Sequence, residues 1–356
     1  MEEQIRRRIK KAIQEKLFPG CVVGIINRNG SRLIIPIGTH TYEPQSRPMK
    51  TDSIFDIASI TKVIPLAMVT LGLVERGQLS LDDTVISHLR AFDTSADKKY
   101  VTLRHLLTYT VNLDLPPLSS LKNKTPQEIV RRVCSASLVA FPGTAYKYSN
   151  VSALLLSLCL MNVHSTYPPG IRAHWYFFRG LQMNNTFWGP DMYYPKDTTV
   201  PTEYDPWRGR ELLGEVHDES TYTLQQYYPA ACLGTAGLFS SAGDLLTFLV
   251  MLLCGGTFHG QRYFSQEMVT HMHTKQFPHI DGVGGLGWNL YPQDYMGRYG
   301  TPQTFGKTGF TGCMIVADRS KERGLVVLSN YHYPHRKVDL EPNRQFRADI
   351  CDIVFG

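Results

Sequence analysis

The chain has 356 residues, 43 % of them apolar and 19 % charged, a composition that can bury a sizeable core in one large domain or two small ones and that shows no disorder-like or low-complexity tract. The formal charge of +6 is mild and spread out, and its densest cluster is Arg6-Arg7-Arg8-Ile9-Lys10-Lys11. Seven cysteines, an odd and scattered set in mostly apolar surroundings, read as buried thiols rather than a disulfide framework.

In chain order, Ile5, Ile9, Ile13 and Leu17 fall on one helical stripe. A terminal helix with this stripe on the core and its basic residues in water is favoured over a membrane or nucleic-acid binder. Glu2 and Glu3 and the lack of an uninterrupted apolar run before Pro19 show no secretory signal or membrane span. The expectation is a cytoplasmic protein, periplasmic only if a signal was removed. Two β-rich runs, Cys21 to Ile26 and Arg32 to Ile37, flank Asn29-Gly30, a strong hairpin signal. An apolar helix then starts near Ser59, with a kink expected just after Lys62 because Pro65 would cost a helix interior about 3 kcal/mol, and it stops at Gly77.

From about residue 83 to 240 the pattern is mainly helical, with helices expected at Thr102–Leu107, Thr125–Cys134, Asn150–Met161 and Ser241–Cys254. The aromatic- and proline-rich stretch Tyr167 to Pro206 reads as a site-forming loop. After Gly282 β character returns at Leu286–Leu290, Thr304–Gly306, Cys313–Ala317 and Gly324–Ser329, and Asn343–Val354 closes the chain as a helix. Strands at both ends with helices between predict an α+β (three-layer α/β) fold: an antiparallel sheet built from both chain ends, flanked by helices, with an inserted mainly helical subdomain. The whole chain, 1–356, reads as a single catalytic domain, with a sheet subdomain of about 1–58 and 255–356 and a helical subdomain of about 59–254.

Three stretches carry chemistry. Ser-x-x-Lys occurs at Ser59/Lys62, Ser95/Lys98 and Ser119/Lys122, but only Ser59 leads into an apolar helix; Ser95 lies in a polar run and Ser119 in a proline-rich one. Residues three apart on a helix are neighbours, so the Lys62 ammonium reaches a hydroxyl that is a weak nucleophile until a base removes its proton. A helix N-terminus also favours the negative charge such a serine must carry. The second stretch, Tyr146-Lys147-Tyr148-Ser149-Asn150, holds a tyrosine whose phenol a nearby ammonium would acidify and an asparagine able to hold Lys62 and a substrate amide at once. The third is Phe305-Gly306-Lys307-Thr308-Gly309-Phe310-Thr311-Gly312. On an edge strand beside Ser59, Lys307 and Thr308 would bind a substrate carboxylate, Gly309 would let a backbone-like ligand approach closely, and the Phe310 N–H would join that of Ser59 as an oxyanion hole. The bland alternatives are a helix cap, a core tyrosine and a glycine-rich hairpin. There is no Cys-x-x-Cys and no His-Glu-x-x-His, and His332 and His335 around Pro334 read as a surface loop rather than a metal site, so neither metal nor cofactor is expected.

With these motifs in this order, the chain resembles the serine β-lactamase and penicillin-binding-protein superfamily, whose fingerprints are Ser-x-x-Lys, Tyr-x-Asn and Lys-Thr-Gly. The long gaps between them are similar to the class C and esterase-like branch. Gly77-Gln78-Leu79-Ser80-Leu81-Asp82-Asp83, Val101-Thr102-Leu103-Arg104-His105-Leu106-Leu107-Thr108, Gly180-Leu181-Gln182-Met183-Asn184-Asn185-Thr186 and Leu286-Gly287-Trp288 are typical of that branch. Gly214-Glu215-Val216-His217-Asp218-Glu219 and Ala236-Gly237-Leu238-Phe239-Ser240 look like its D-alanyl-D-alanine carboxypeptidase-like group.

The resemblance implies a β-lactamase/transpeptidase-like fold and a serine acyl-hydrolase without metal or cofactor. Ser59 would be the acylated nucleophile, Lys62 its base, Tyr148 and Asn150 the proton-relay and substrate-orienting pair, and Lys307 and Thr308 the recognition element. The partner is a small-molecule or peptide substrate: a D-alanyl peptide, a β-lactam or a small ester. The alternative is a non-turnover penicillin-binding or sensor-type homologue. His217 and Asp218 have no chemical role readable from sequence. The chain departs from the branch at Tyr109-Thr110-Val111-Asn112-Leu113, where a glycine turn is usual, at Pro65, and over His164–Tyr176. It has no acid of the class A deacylating type, so hydrolysis would rest on Tyr148.

Overall fold

A computed structural model describes residues 1–163, 173–189, 195–228 and 233–356. Most of the His164–Tyr176 departure, part of the Tyr167 to Pro206 loop, and Cys232 lie outside the described residues.

A six-stranded antiparallel sheet runs in the order Asn289–Leu290, Thr304–Thr308, Met314–Asp318, Arg323–Ser329, Gly20–Asn27, Arg32–Gly38. The two chain ends meet at its centre, where Cys21 pairs with Ser329 and Asn27 with Arg323. Helices Glu2–Gln14 and Glu341–Phe355 cover one face, packing Ile5, Ile9, Phe346 and Ile350 on Val23, Ile25, Val316 and Val327. Helix Ala242–Leu253 covers the other, against Val22, Ile26, Val326 and Leu328. With both faces buried, the central strands read as unbroken apolar runs rather than alternating ones. Gly24 lets helix Ala242–Leu253 pack closely, since a Cβ would stand 2.9 Å from a Leu246 methyl.

The basic N-terminal cluster is partly spent inside the molecule: Arg8 pairs with Asp349 at 2.7 Å and stacks on Phe346. The six described cysteines are all free, five of them buried. The run Ala58–Glu75 is long and apolar enough to cross a membrane, yet 83 % of it is buried inside the fold.

The middle of the chain holds helices Leu103–Leu107, Pro126–Ser135 and Asn150–Asn162, the last with ten buried residues. Helix Ala242–Leu253, although within the stretch read as helical subdomain, belongs to the sheet's cover. Several elements have no sequence signal: a second sheet of Ile54–Asp56, Leu238–Ser241 and Phe187–Trp188, and helices Glu219–Leu224 and Gln266–Met272. Strands of two to four residues are too short for periodicity to register. Of the run Leu286–Leu290 only Asn289–Leu290 joins the sheet, since Gly287 turns the chain at φ +85°.

The apolar run after Ser59 is not one helix. A 3-10 turn spans Ala58–Lys62, the chain breaks at Ile64 (φ −115°, ψ 104°), and the α-helix proper is Met68–Glu75. The break falls just after Lys62, as expected, and directly before Pro65, because a proline ring excludes helical geometry from the residue preceding it.

Candidate active site

The strand Ile54–Asp56 delivers the chain to Ala58, which takes a left-handed φ of +46°. Asp56 braces this turn. Its buried carboxylate accepts the Ala58 N–H and the His217 N–H, each at 2.7 Å. Burial raises its pKa, and these N–H groups oppose the rise only in part. Thr61 Oγ1 accepts the Leu238 N–H and ties the turn to the small sheet.

Ser59 is half-buried, and Lys62 beneath it is 2 % exposed. The Lys62 ammonium donates to Ser59 Oγ at 2.9 Å and to the Thr235 carbonyl at 2.6 Å. The other two Ser-x-x-Lys matches form no such pair. Ser95 donates to Asp97 while Lys98 is buried against Thr94 and the Cys134 carbonyl. Ser119 does reach the cavity wall, but Lys122 turns to Glu219 and Trp207.

Tyr148 faces Ser59 and Lys62, with Lys62 Nζ 5.6 Å from its ring centre. Burial of its hydroxyl would raise the pKa, but the ammonium groups of Lys62 and Lys307 outweigh it, so the phenol is more acidic than usual. Asn150 Nδ2 donates to Asp218 Oδ2 at 3.0 Å. The hold on Lys62 that the sequence suggested for Asn150 is supplied instead by the Thr235 carbonyl. Asp218 also accepts the N–H of Thr221 at 2.7 Å and the hydroxyls of Ser220 and Thr221. Burial raises the Asp218 pKa, but these donors and the Lys62 charge bring it below the usual value.

Lys307 and Thr308 end the strand Thr304–Thr308. Its neighbour Asn289–Leu290 pairs only with Phe305 and Gly306, so that side of the strand is unpaired from Lys307 onward. Lys307 is 2 % exposed, donates to the Tyr109 hydroxyl at 3.2 Å, and stands 4.9 Å from the Tyr148 ring centre. Burial lowers its pKa, the Tyr148 phenolate raises it and Lys62 lowers it, leaving it at about 8. Tyr109 stands where the branch usually has its glycine-containing loop, with φ +56° and a ring 4.9 Å from that of Tyr148.

Gly309 has a reason inside the fold that its sequence did not show. A Cβ there would lie 2.3 Å from the Ile57 carbonyl oxygen, so the missing side chain lets the nucleophile turn come close. Thr311 Oγ1 donates to the Asp56 carbonyl at 2.6 Å and ties the same two segments together. His332, read as part of a surface loop, is fully buried.

Ser59, Tyr148, Asn150, Lys307, Thr308, Gly309 and Phe310 all line one cavity of about 570 Å³. Asp218, Arg336 and Arg347 line it too. Sequence reasoning gave no chemistry to Asp218 and did not single out the two arginines, since no local pattern marks a residue that reaches the cleft from far along the chain. A neighbouring cavity of about 360 Å³ shares Tyr148, Asn150 and Asp218 and is walled by Val111, Leu113 and Pro116–Leu118. Among the described residues no group of three or more His, Cys, Asp or Glu could hold a metal ion.

Fold and cleft together define the serine β-lactamase and penicillin-binding-protein class. The model of the family described as "Beta-lactamase" matches residues 5–349, and the chain belongs to that family. A protein of Escherichia coli (strain K12) described as "Putative D-alanyl-D-alanine carboxypeptidase" is 26 % identical over 341 residues, covering 87 % of this chain and 77 % of that protein. Two solved structures share the fold. EstCE1, described as "a hydrolase with promiscuous acyltransferase activity", superposes with a TM-score of 0.77 at 21 % identity, covering 100 % of this chain and 98 % of its own. The D-alanine carboxypeptidase AmpC from Burkholderia cenocepacia gives 0.71 at 19 % identity, covering 98 % and 97 %.

Proposed function

We propose that the protein is a serine acyl-hydrolase working through an acyl-enzyme on Ser59. The observation that carries this reading is the Ser59 Oγ to Lys62 Nζ hydrogen bond of 2.9 Å, with the Tyr148 ring beside both Lys62 and Lys307. Ser59 Oγ attacks a substrate carbonyl as its proton passes to the Lys62–Tyr148 pair. The N–H groups of Ser59 and Phe310 receive the oxyanion. The tetrahedral intermediate collapses as Tyr148 returns the proton to the leaving group, and the same phenolate then activates the water that releases the acyl group. Asn150, steadied by Asp218, orients the acyl side.

The names of the relatives and the cation at Lys307 support substrates bearing a carboxylate on the leaving-group side, as D-alanyl peptides and β-lactams do, with small esters as simpler alternatives. The unpaired strand edge at Lys307 and Thr308 suits an extended backbone. Mass spectrometry after treatment with a fluorophosphonate or a penicillin should find one adduct, on Ser59, and purified enzyme should turn over a chromogenic ester. An adduct on Ser95 or Ser119 would overturn the assignment, and acylation without turnover would mark a penicillin-binding homologue instead.

A further inference from the structure

The turn Gly309–Gly312 is gripped from an unexpected direction. Arg347, on the C-terminal helix Glu341–Phe355, sends Nη2 to the Gly309 carbonyl at 2.8 Å and to the Cys313 carbonyl at 2.9 Å. Its side chain is 8 % exposed, and among the described residues no carboxylate pairs with it. A buried guanidinium without a counter-charge is expensive. A neutral side chain would serve packing alone, so the charge has another use.

The Gly309 carbonyl belongs to the same peptide unit as the Phe310 N–H. That unit is planar with its C=O and N–H opposed, so fixing the carbonyl fixes the direction of the N–H. A cationic donor on the carbonyl also polarises the unit and strengthens the N–H as a donor. The next carbonyl is fixed as well: His332 Nε2 bonds to Phe310 O at 3.0 Å. Because His332 Nδ1 accepts the Lys337 N–H at 3.1 Å, the ring proton lies on Nε2, which is the donor. The His332 ring stacks on that of Phe310 with centroids 4.2 Å apart.

We propose that Arg347 is a positioning residue for the oxyanion site, orienting and polarising the Gly309–Phe310 peptide, with His332 securing the following carbonyl. This rests on the assignment of the Phe310 N–H to the oxyanion hole. Both act through the turn, Arg347 from the cavity wall and His332 from behind Phe310.

The test compares the rate of Ser59 phosphonylation by a fluorophosphonate, in which Oγ–P forms as P–F breaks and fluoride leaves, in wild type, Arg347→Met, His332→Phe and Arg323→Ala. Arg323 donates to the Val354 carbonyl at 2.7 Å and anchors the same helix without touching the turn. Losing a direct oxyanion donor costs about 10²- to 10³-fold, so losing its support should slow Arg347→Met by roughly 10- to 100-fold and His332→Phe by less. With a chromogenic ester the loss should fall on kcat, with KM within about two-fold of wild type, while Arg323→Ala keeps its rate even if its Tm drops. Should Arg347→Met fail to fold, Arg347→Lys, which keeps the buried charge but is one atom too short to reach both carbonyls, carries the same expectation. Wild-type labelling rates in folded Arg347 variants, or an equal loss in Arg323→Ala, would overturn the proposal and leave the hydrolase reading standing. Absence of any Ser59 adduct in wild type would overturn both.

Discussion

Replacing Lys307 by methionine separates substrate reading from proton transfer. One of the three ammonium donors is spent on Tyr109 at 3.2 Å, which leaves two for a ligand. A charge-assisted hydrogen bond to a substrate carboxylate contributes about 1.5–3 kcal/mol. Lys307→Met should therefore lower kcat/KM for a carboxylate substrate by roughly 10- to 100-fold more than for its methyl ester. A further loss, common to both substrates, comes from Tyr148. With one of its two neighbouring cations gone the phenol becomes less acidic, so a rate that needs the phenolate loses its acid side and the acid limb moves to higher pH. The pH dependence gives a second signature. Lys307 titrates at about 8 and is charged below that value, so wild-type preference for the carboxylate substrate should fall as pH rises through about 8. In the variant that fall should vanish. The assay is kcat/KM for the matched pair, on both enzymes, from about pH 5 to about pH 10. Equal losses on both substrates, with a pH-independent ratio in wild type, would refute the reasoning and leave Lys307 as part of the proton relay alone.

Acid should destabilise the protein over two overlapping pH windows. Burial and the neighbouring His217 hold His332 down at about 3, so its folded-state pKa is depressed and stability is lost as pH falls from about 6.5 toward 3. Burial raises Glu203, but hydrogen bonds from His217 and Arg336 outweigh it and bring it to about 2, so about 3 kcal/mol present above pH 4.5 is lost on the way down to about 2; thermal melts that stay flat between pH 7 and 3 would contradict this. Ala58→Gly relieves a left-handed alanine that costs about 1–2 kcal/mol at the price of backbone entropy, and urea unfolding should show stability unchanged or up by about 1 kcal/mol; a clear loss would mean that the turn is not strained. Asp218→Ala strips a helix cap and the Asn150 support together, and should cost about 2 kcal/mol or more in the same measurement while slowing Ser59 acylation. Full stability in that variant would remove Asp218 from the supporting network.

What could be read from residues alone was whatever is local or periodic. The hairpin at Asn29-Gly30, the stripe of the N-terminal helix, the helices after Thr102, Thr125 and Ser149, and the strands flanking the Lys307 turn all declare themselves within a dozen residues. The three motifs were recognisable because chemistry restricts residue type at fixed spacing. The second sheet was not, since its three short strands gain their stability only by meeting one another across the chain.

The sequence by itself determined the sheet built from both chain ends, the apolar segment behind Ser59, and which side chains carry chemistry. Only the tertiary structure decided how those side chains are held. Ser59 and Lys62 are neighbours through a 3-10 turn braced by Asp56, and Lys62 is fixed by a carbonyl 173 residues away. Gly309 is glycine because the Ile57 backbone passes against it, and Tyr109 meets Lys307 across 198 residues. Arg347 and His332, one read only as part of a closing helix and the other as part of a surface loop, turn inward on the same peptide. Periodicity and propensity describe a residue's relation to its own segment. A hydrogen bond to a distant carbonyl depends on where two segments dock, and that is settled by the packing of the whole core.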